Sequence, residues 1–435
     1  MNKNKFYIKT FGCQMNEYDS NKIVELMETI SFQRIDKIDE ADCFIFNTCH
    51  IRQKATQKVY SDIGKIKKIY KNKKKPIFIL AGCVAQAEST LVFEKSDYVD
   101  IVVGPQAYHK LPNLIKKYLQ KKMKFIDTNL NVDEKFDVLK NLVNKKSSIS
   151  SFVTIQEGCD KFCKFCVVPY TRGPEFSRDH SKVIDEIIAL VDKGTKEIIL
   201  LGQNVSSYNY NGTTLAKLIK KIAKINSIER IRFTTSHPND FDKELIALFG
   251  EEPKLMPQLH LPVQSGSDKI LKLMNRNHTK SDYLKLIDDF RKYRHDIQFS
   301  SDFIVGYPGE TEKDHLDTIN LINEVNFTMS YSFIYSRRPG TPASEYKTIP
   351  KIVTEKRLQQ LQGLLFKQQI DFNQSMINNE NIVLFENKTQ NDEQFFGRNQ
   401  YMVPVFIKNK SIKAGEIKKI FIENANRNNL FGKIA

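Results

Sequence analysis

Short apolar runs alternate with amphipathic stretches along the first hundred residues, and this alternation predicts a layered α/β domain. Residues 5–10 (KFYIKT), 42–47 (DCFIFN), 76–81 (PIFILA) and 98–103 read as strands, and 20–31 and 54–70 as helices between them. Runs of this length separated by helical periodicity point to an open parallel sheet. After a charged, Asn- and Ser-rich stretch at 127–150 the pattern restarts. Strands are expected at 151–157, 197–203, 230–235, 258–264, 298–305 and 329–335, with helical segments after them such as 182–193 and 213–224. Six strand–helix units predict a partial (β/α)6 barrel, eight being the complete form.

Residues 353–375 read as a long helix with Leu358, Leu361, Leu365 and Phe372 on one side, expected to close that barrel. Beyond Asn378 the period drops to two in NIVLFEN, YMVPVFI and KKIFIEN, with Gly397, Gly415 and Gly432 between and beyond them. About five such strands make a small antiparallel β-barrel. The expected division is therefore 1–126 for the N-terminal α/β domain, 127–148 for a linker, 149–370 for the partial barrel and 371–435 for the β-barrel.

Composition narrows the class. No apolar run among the 435 residues approaches the roughly 18 that a membrane span needs. The N-terminus enters a strand pattern with no apolar signal segment, so a cytoplasmic protein with reduced thiols is expected. Its seven cysteines then read as metal or redox ligands rather than disulfides. The net charge of +16 has two readings, a lysine-rich background or a polyanionic partner such as nucleic acid.

The cysteines fall into two sets and one singleton. Cys13, Cys49 and Cys83 each follow the C-terminal end of an expected strand, where open parallel sheets bind ligands. Three thiols in matching places read better as a ligand set than as three small apolar residues. Cys43 lies inside a strand and reads as core. Cys159, Cys163 and Cys166 sit in CDKFCKFC, after the first strand of the partial barrel. A structural zinc site is normally closed by four ligands, and this run offers three with no His near enough to complete it. A cubane iron–sulfur cluster usually takes four cysteines, so three leave one iron open for another ligand.

Polar residues also gather at the C-terminal ends of the barrel strands, where such barrels do chemistry. They are Gln203 and Asn204; Ser236, His237 and Pro238; Gln264, Ser265 and Gly266; Gly306, Pro308, Gly309 and Glu310; and Ser336, Arg337 and Arg338. Taken singly, Ser236, Ser265 and Gly309 read equally well as cap or turn residues.

The spacing C-x3-C-x2-C after the first strand resembles the signature of the radical S-adenosylmethionine (SAM) enzymes. TFGCQMNEYDS (10–20), NTCHIRQKA (47–55), AGCVAQ (81–86), GCDKFCKFCVVPYTRG (158–173), HLPVQSGSD (260–268) and SSDFIVGYPGET (300–311) together resemble the methylthiotransferase family within that superfamily. The resemblance implies two [4Fe-4S] clusters, one on Cys13, Cys49 and Cys83 and one on Cys159, Cys163 and Cys166, the second binding SAM. It implies that SAM is cleaved to a radical that takes hydrogen from a carbon, and that a methylthio group is placed there. A non-acidic C–H bond is beyond ordinary acid–base groups, so cofactor chemistry is called for. By the same resemblance Phe165 lies by the adenine of SAM, and Gln203, Asn204, Ser236, Gln264 and Ser265 are expected SAM contacts. The first block favours members that modify isopentenylated adenosine next to the anticodon of tRNA. Pro174 departs from the charged residue that relatives often carry there.

The C-terminal strands resemble the TRAM domain, an RNA-binding module, and Arg398, Lys408, Lys410, Lys413, Lys418 and Lys419 would supply phosphate contacts to tRNA. A reducing electron donor and a sulfur source are required as partners, and a self-contained monomer is expected. Two other readings stay open: a related enzyme acting on threonylcarbamoyl-adenosine or a ribosomal protein, and a non-enzymatic iron–sulfur RNA-binding protein.

Overall fold

The computed structural model describes all residues except 1–3, 51–52, 132, 140–141, 143–147, 390–393 and 410, and the side chains of 53–55 and 133 are likewise undescribed. The chain forms two compact units. The first is Met1–Lys145 with Gln156–Asp160 and Val167–Arg178; the second is Lys146–Ile155 with Lys161–Cys166 and Asp179–Ala435.

The first unit is a six-stranded sheet in the order Phe32–Arg34, Asn4–Thr10, Cys43–Thr48, Ile77–Gly82, Ile101–Val103, Phe125–Asp127. Every pairing is parallel. Both faces are covered, which is why the strands read as unbroken apolar runs. Ile45, Ile79 and Ile101 face one core, and Phe44, Phe78 and Val102 the other. Cys43 is fully buried among the first set. The sequence pattern shows four strands, whereas the fold has six. Phe32–Arg34 and Phe125–Asp127 are three residues each, too short to show a period. The helix expected at 20–31 begins earlier, at Gln14, directly after Cys13, and ends at Thr29.

The second unit holds the parallel strands Ser150–Thr154, Glu197–Leu201 and Arg230–Phe233. A parallel bridge from Ile231 to Leu255 leads to Gln258–His260, paired with Gln298–Ser300. Asp302–Val305 then pairs with Tyr331–Ile334. The strand expected at 298–305 is thus interrupted at Ser301, whose hydroxyl accepts from the Val263 amide at 3.0 Å. The strands expected to reach 235 and 264 end at Phe233 and His260, and beyond them the backbone turns left-handed at Thr235 and Gln264, at φ +69° and +75°.

Helix Lys351–Gln374 buries Leu361 and Leu365 in the core of this barrel and packs Phe372 against the core of the C-terminal one. That C-terminal barrel is closed by five strands, Glu380–Lys388, Phe395–Asn399, Pro404–Ile407, Ile417–Ala425 and Leu430–Ile434. Its pairings are antiparallel except one, since Pro404–Ile407 runs parallel to Leu430–Ile434. Arg230 donates to the carbonyls of Arg398 and Ile382 at 2.8 and 2.9 Å, and Arg232 to those of Gln400 and Asn399 at 2.9 and 3.1 Å. Both arginines belong to the strand Arg230–Phe233. Among the described residues, no helix is long and apolar enough to cross a membrane.

Candidate functional site

Parallel register assembles the first set of thiols. Thr10 stands opposite Asn47, and Asn47 opposite Ala81, on neighbouring strands. Cys13, Cys49 and Cys83 follow within two or three residues, so the three loops leave the sheet side by side, with strands about 4.8 Å apart. Gly12 lies directly on Cys49 with φ +108°. Gly82, at φ +88°, lies on the Thr48 carbonyl. The Thr48 hydroxyl donates to the Ala81 carbonyl at 2.6 Å and accepts from the Val84 amide at 3.2 Å, fixing the Cys83 turn to the Cys49 strand. Asn47 donates to the Asn16 carbonyl at 2.9 Å and to the Ser20 hydroxyl at 3.0 Å, holding the helix that Cys13 caps.

Electrostatics favour thiolate at Cys13 and oppose it at Cys83. A hydrogen bond from Cys49, aided by the Arg172 guanidinium, brings the Cys13 thiol down to about 6. Burial pushes Cys83 up, with Arg172 opposing it. Cys43 is pushed up, mostly by burial and further by Asp100 and Asp42, the state of an inert core thiol. A cavity of about 470 Å³ opens beside Cys13, lined in part by Gln14, Ser20 and Arg34.

The second set follows the strand Ser150–Thr154. Cys159 donates its amide to the Gly173 carbonyl at 3.3 Å within the first unit. In the second unit the Cys166 amide closes on the Cys163 carbonyl at 2.9 Å. Lys164 is pinned through its amide to Met274 and its carbonyl to Ala343, both at 3.0 Å. Arg276 Nη1 donates to the Cys163 sulfur at 3.7 Å. Phe165 packs with Ile270, Met274, Tyr307, Tyr335 and Ala343.

The other expected contacts separate into two groups. Asn204 organises the rim: it donates to Asp240 at 2.6 Å and accepts from the Ser206 hydroxyl and the His237 amide, both at 3.0 Å. Ser236 is buried beside it. Gln203 is half-buried at the end of the same strand as Asn204. Ser265 is instead turned onto helix Glu312–Val325, 3.3 Å from the Thr318 hydroxyl, and Gln264 forms backbone bonds to Asp302 and Ile304. Glu310 is taken up by Arg357, at 2.8 Å.

Sequence reasoning passed over two groups. One is Arg276 with His278, against which His237 stacks edge-on at 5.8 Å. Burial and the Arg276 charge bring His237 down to about 2 and His278 to about 4, so both rings are neutral. Ser236 Oγ, His237 Nε2, Arg276 Nε and His278 Nε2 are all buried without a hydrogen-bond partner. Such atoms are rare in a finished core and fit a polar ligand. The other group is Arg172, Asp19, Lys135 and Glu157, four ionised side chains buried together. Asp19 and Arg172 lie within the quoted blocks 10–20 and 158–173, but nothing in the sequence shows that the four meet.

On the β-barrel, Arg398 is ion-paired with Glu386 and lies over the Phe396 ring at 5.0 Å. Lys418 stands 3.8 Å from Glu416 and Lys419 3.3 Å from Glu380. Lys408 and Lys413 are exposed, and Lys410 lies outside the described residues. On the outer face Phe396, Phe406 and Phe431 stand in register across three strands, with ring centres 5.4 and 6.0 Å apart.

Among the described residues no three His, Cys, Asp or Glu side chains gather tightly enough for a single metal ion. A cubane instead spreads its thiolates over separate irons. The cysteine sets, with their soft donors, fit that kind of group.

Three family models match stretches of the chain. Residues 153–322 match the Radical SAM superfamily, 5–104 the uncharacterized protein family UPF0004, and 374–435 the TRAM domain. Among solved structures, the radical S-adenosylmethionine methyltransferase TsrM from Kitasatospora setae shares the fold at TM-score 0.59 and 13% identity, over 79% of this chain and 74% of that one. The tRNA-2-methylthio-N(6)-dimethylallyladenosine synthase of Pelagibacter ubique is 49% identical over 99% of this chain and 97% of its own length. Those of Ehrlichia ruminantium and Rickettsia bellii are also 49% identical, over 98% and 99% of this chain. Near-half identity from end to end, on a fold that ends three strands in cysteine and follows the first barrel strand with three more, leaves one conclusion: this chain belongs to the tRNA-2-methylthio-N(6)-dimethylallyladenosine synthase family of radical SAM proteins.

Proposed function

We propose that this chain adds a methylthio group to carbon 2 of N6-isopentenyladenosine next to the anticodon of tRNA. Similarity over 99% of the chain to relatives named for that product carries the reading. Cys13, Cys49 and Cys83 would hold one [4Fe-4S] cluster, and Cys159, Cys163 and Cys166 the other together with SAM. When bound, these groups supply the electron, the radical chemistry and the sulfur that substitution at a non-acidic C–H bond requires.

The chain's own residues bind, orient and exclude water. Gly12 and Gly82 let the cysteine loops approach closely. Arg276 puts a fixed positive charge on the sulfur of Cys163. The neutral rings of His237 and His278, with Ser236 and Arg276, leave four unpaired polar atoms for a polar ligand such as SAM. Asn204 keeps that rim in place through Asp240 and the His237 amide.

The tRNA would meet the C-terminal barrel. Lys408 and Lys413 supply exposed charge for phosphate, and the row Phe396, Phe406, Phe431 supplies ring faces on which unpaired bases stack. A separate reductant and a sulfur donor complete the reaction in the reducing cytoplasm.

Mass spectrometry of tRNA nucleosides from cells with and without the gene tests this. Loss of methylthio-isopentenyladenosine with build-up of isopentenyladenosine is expected. An unchanged methylthio-isopentenyladenosine level, in cells lacking a second such gene, sinks it.

A further inference from the structure

Arg172, Asp19, Lys135 and Glu157 are 2%, 1%, 0% and 0% exposed, so four ionised side chains lie together inside the first unit. Arg172 Nη2 donates to Asp19 at 2.7 Å and to Asn16 Oδ1 at 3.1 Å. Lys135 donates to Glu157 at 2.6 Å and to Gln106 at 3.2 Å, and lies 3.7 Å from Asp19. Arg172 Nη1 stands 3.6 Å from Glu157. Two cations and two anions balance to zero. Buried networks of this kind add little net stability over apolar residues of equal volume, so stability alone is a weak reason for this one.

Its position supplies a better one. The Asn16 oxygen that accepts from Arg172 also lies 3.9 Å from the sulfur of Cys13. The helix Val168–Arg172, which ends at Arg172, packs against the helix Cys83–Glu88, which begins at Cys83. Of the two buried cations, Arg172 is the one whose hydrogen-bond acceptor, Asn16 Oδ1, is also the neighbour of the Cys13 sulfur. The peptide carbonyl of Arg172 is fixed in turn by Gln106 at 2.9 Å. A guanidinium clamped by Asp19 and Asn16 is therefore held one hydrogen-bonded group away from the Cys13 sulfur.

We propose that Arg172 is a positioning residue for the cluster held by Cys13, Cys49 and Cys83, its fixed charge orienting the thiolate ligands and holding the cluster's reduction potential up. The inference rests on the ligand assignment proposed above. Charge and hydrogen bonds at cluster sulfurs are established levers on potential, because each added electron is stabilised by a nearby cation.

The test uses the full chain with Cys159, Cys163 and Cys166 replaced by Ala, so that one cluster reports alone. It is reconstituted anaerobically, iron is counted, and the potential and electron paramagnetic resonance spectrum are recorded. Three further changes are made in this parent: Arg172→Lys, Arg172→Gln, and Asp19→Asn with Arg172→Gln. The double change removes both members of one ion pair, so no carboxylate is stranded if the single variant fails to fold. Arg172→Gln is expected to shift the equilibrium toward the oxidised cluster at least tenfold, about 59 mV for one electron. Loss of iron in the Gln variants, retained in the Lys variant, supports the positioning role equally. Unchanged potential, spectrum and iron in Arg172→Gln overturn it, and so do unchanged spectrum and iron in the double variant where Arg172→Gln does not fold. Unfolding of every Arg172 variant, Lys included, leaves a structural role alone and also overturns it. A parent that binds no iron sinks the ligand assignment, and the inference with it.

Discussion

The backbone of Gly12 lies against the side chain of Cys49 so closely that a Cβ on Gly12 would stand 2.1 Å from the Cys49 Cβ and 2.7 Å from its sulfur. The left-handed φ of +108° at Gly12 adds backbone strain to that collision for any other residue. Gly12→Ala therefore has to push Cys13 and Cys49 apart. Two cubanes give about eight irons per chain. The variant is expected to retain about half of them with unchanged circular dichroism. A full complement of iron would show that the two loops can separate without losing the cluster.

Cys43 provides the contrast. It is fully buried in the strand Cys43–Thr48 and its thiol is raised by burial. Cys43→Ala should cost about 1 kcal/mol in urea unfolding, the removal of one small buried group. It should keep product formation, whereas Ala at any of the six proposed ligands should abolish it. Total loss of product in a folded Cys43→Ala protein would overturn the assignment of ligands.

His237 and His278 make the barrel acid-sensitive. Their folded values, about 2 and about 4, lie below the ordinary 6.5 of an exposed imidazole. Between those limits the unfolded chain binds protons that the folded barrel refuses, so stability is present above about 6.5 and falls as pH drops. Each group contributes a slope of about 1.4 kcal/mol per pH unit. His278→Gln should remove one such slope, about 2 kcal/mol between pH 7 and 5 in urea midpoints compared with the unaltered chain. Equal slopes in both proteins would mean that His278 is charged in the fold.

The aromatic row on the C-terminal barrel separates stacking from charge. Phe406→Ala should weaken tRNA binding roughly tenfold, within the ~1–3 kcal/mol of one base stack, and leave the salt slope unchanged. Lys408→Ala should instead lower that slope by about one. Affinity within twofold of the unaltered chain for Phe406→Ala would place the RNA elsewhere.

Much of this protein is local. Parallel strands buried on both faces show as continuous apolar runs, and a cysteine loop shows as a spacing, so the order of elements and the six candidate ligands could be read from residues alone. Register could not. That Thr10, Asn47 and Ala81 line up depends on pairing between strands some thirty to forty residues apart. The left-handed turns at Thr235 and Gln264, beyond the strand ends, are backbone signs that no side-chain pattern carries. The buried charges are the extreme case. Arg172, Asp19, Lys135 and Glu157 each look like ordinary surface residues in sequence, and only the packed chain withdraws them from water, where their charges must be paired with one another. Sequence determined which chemistry the chain carries, because ligand type and spacing are local. Tertiary structure decided which charges face the thiols, because that is a property of distance.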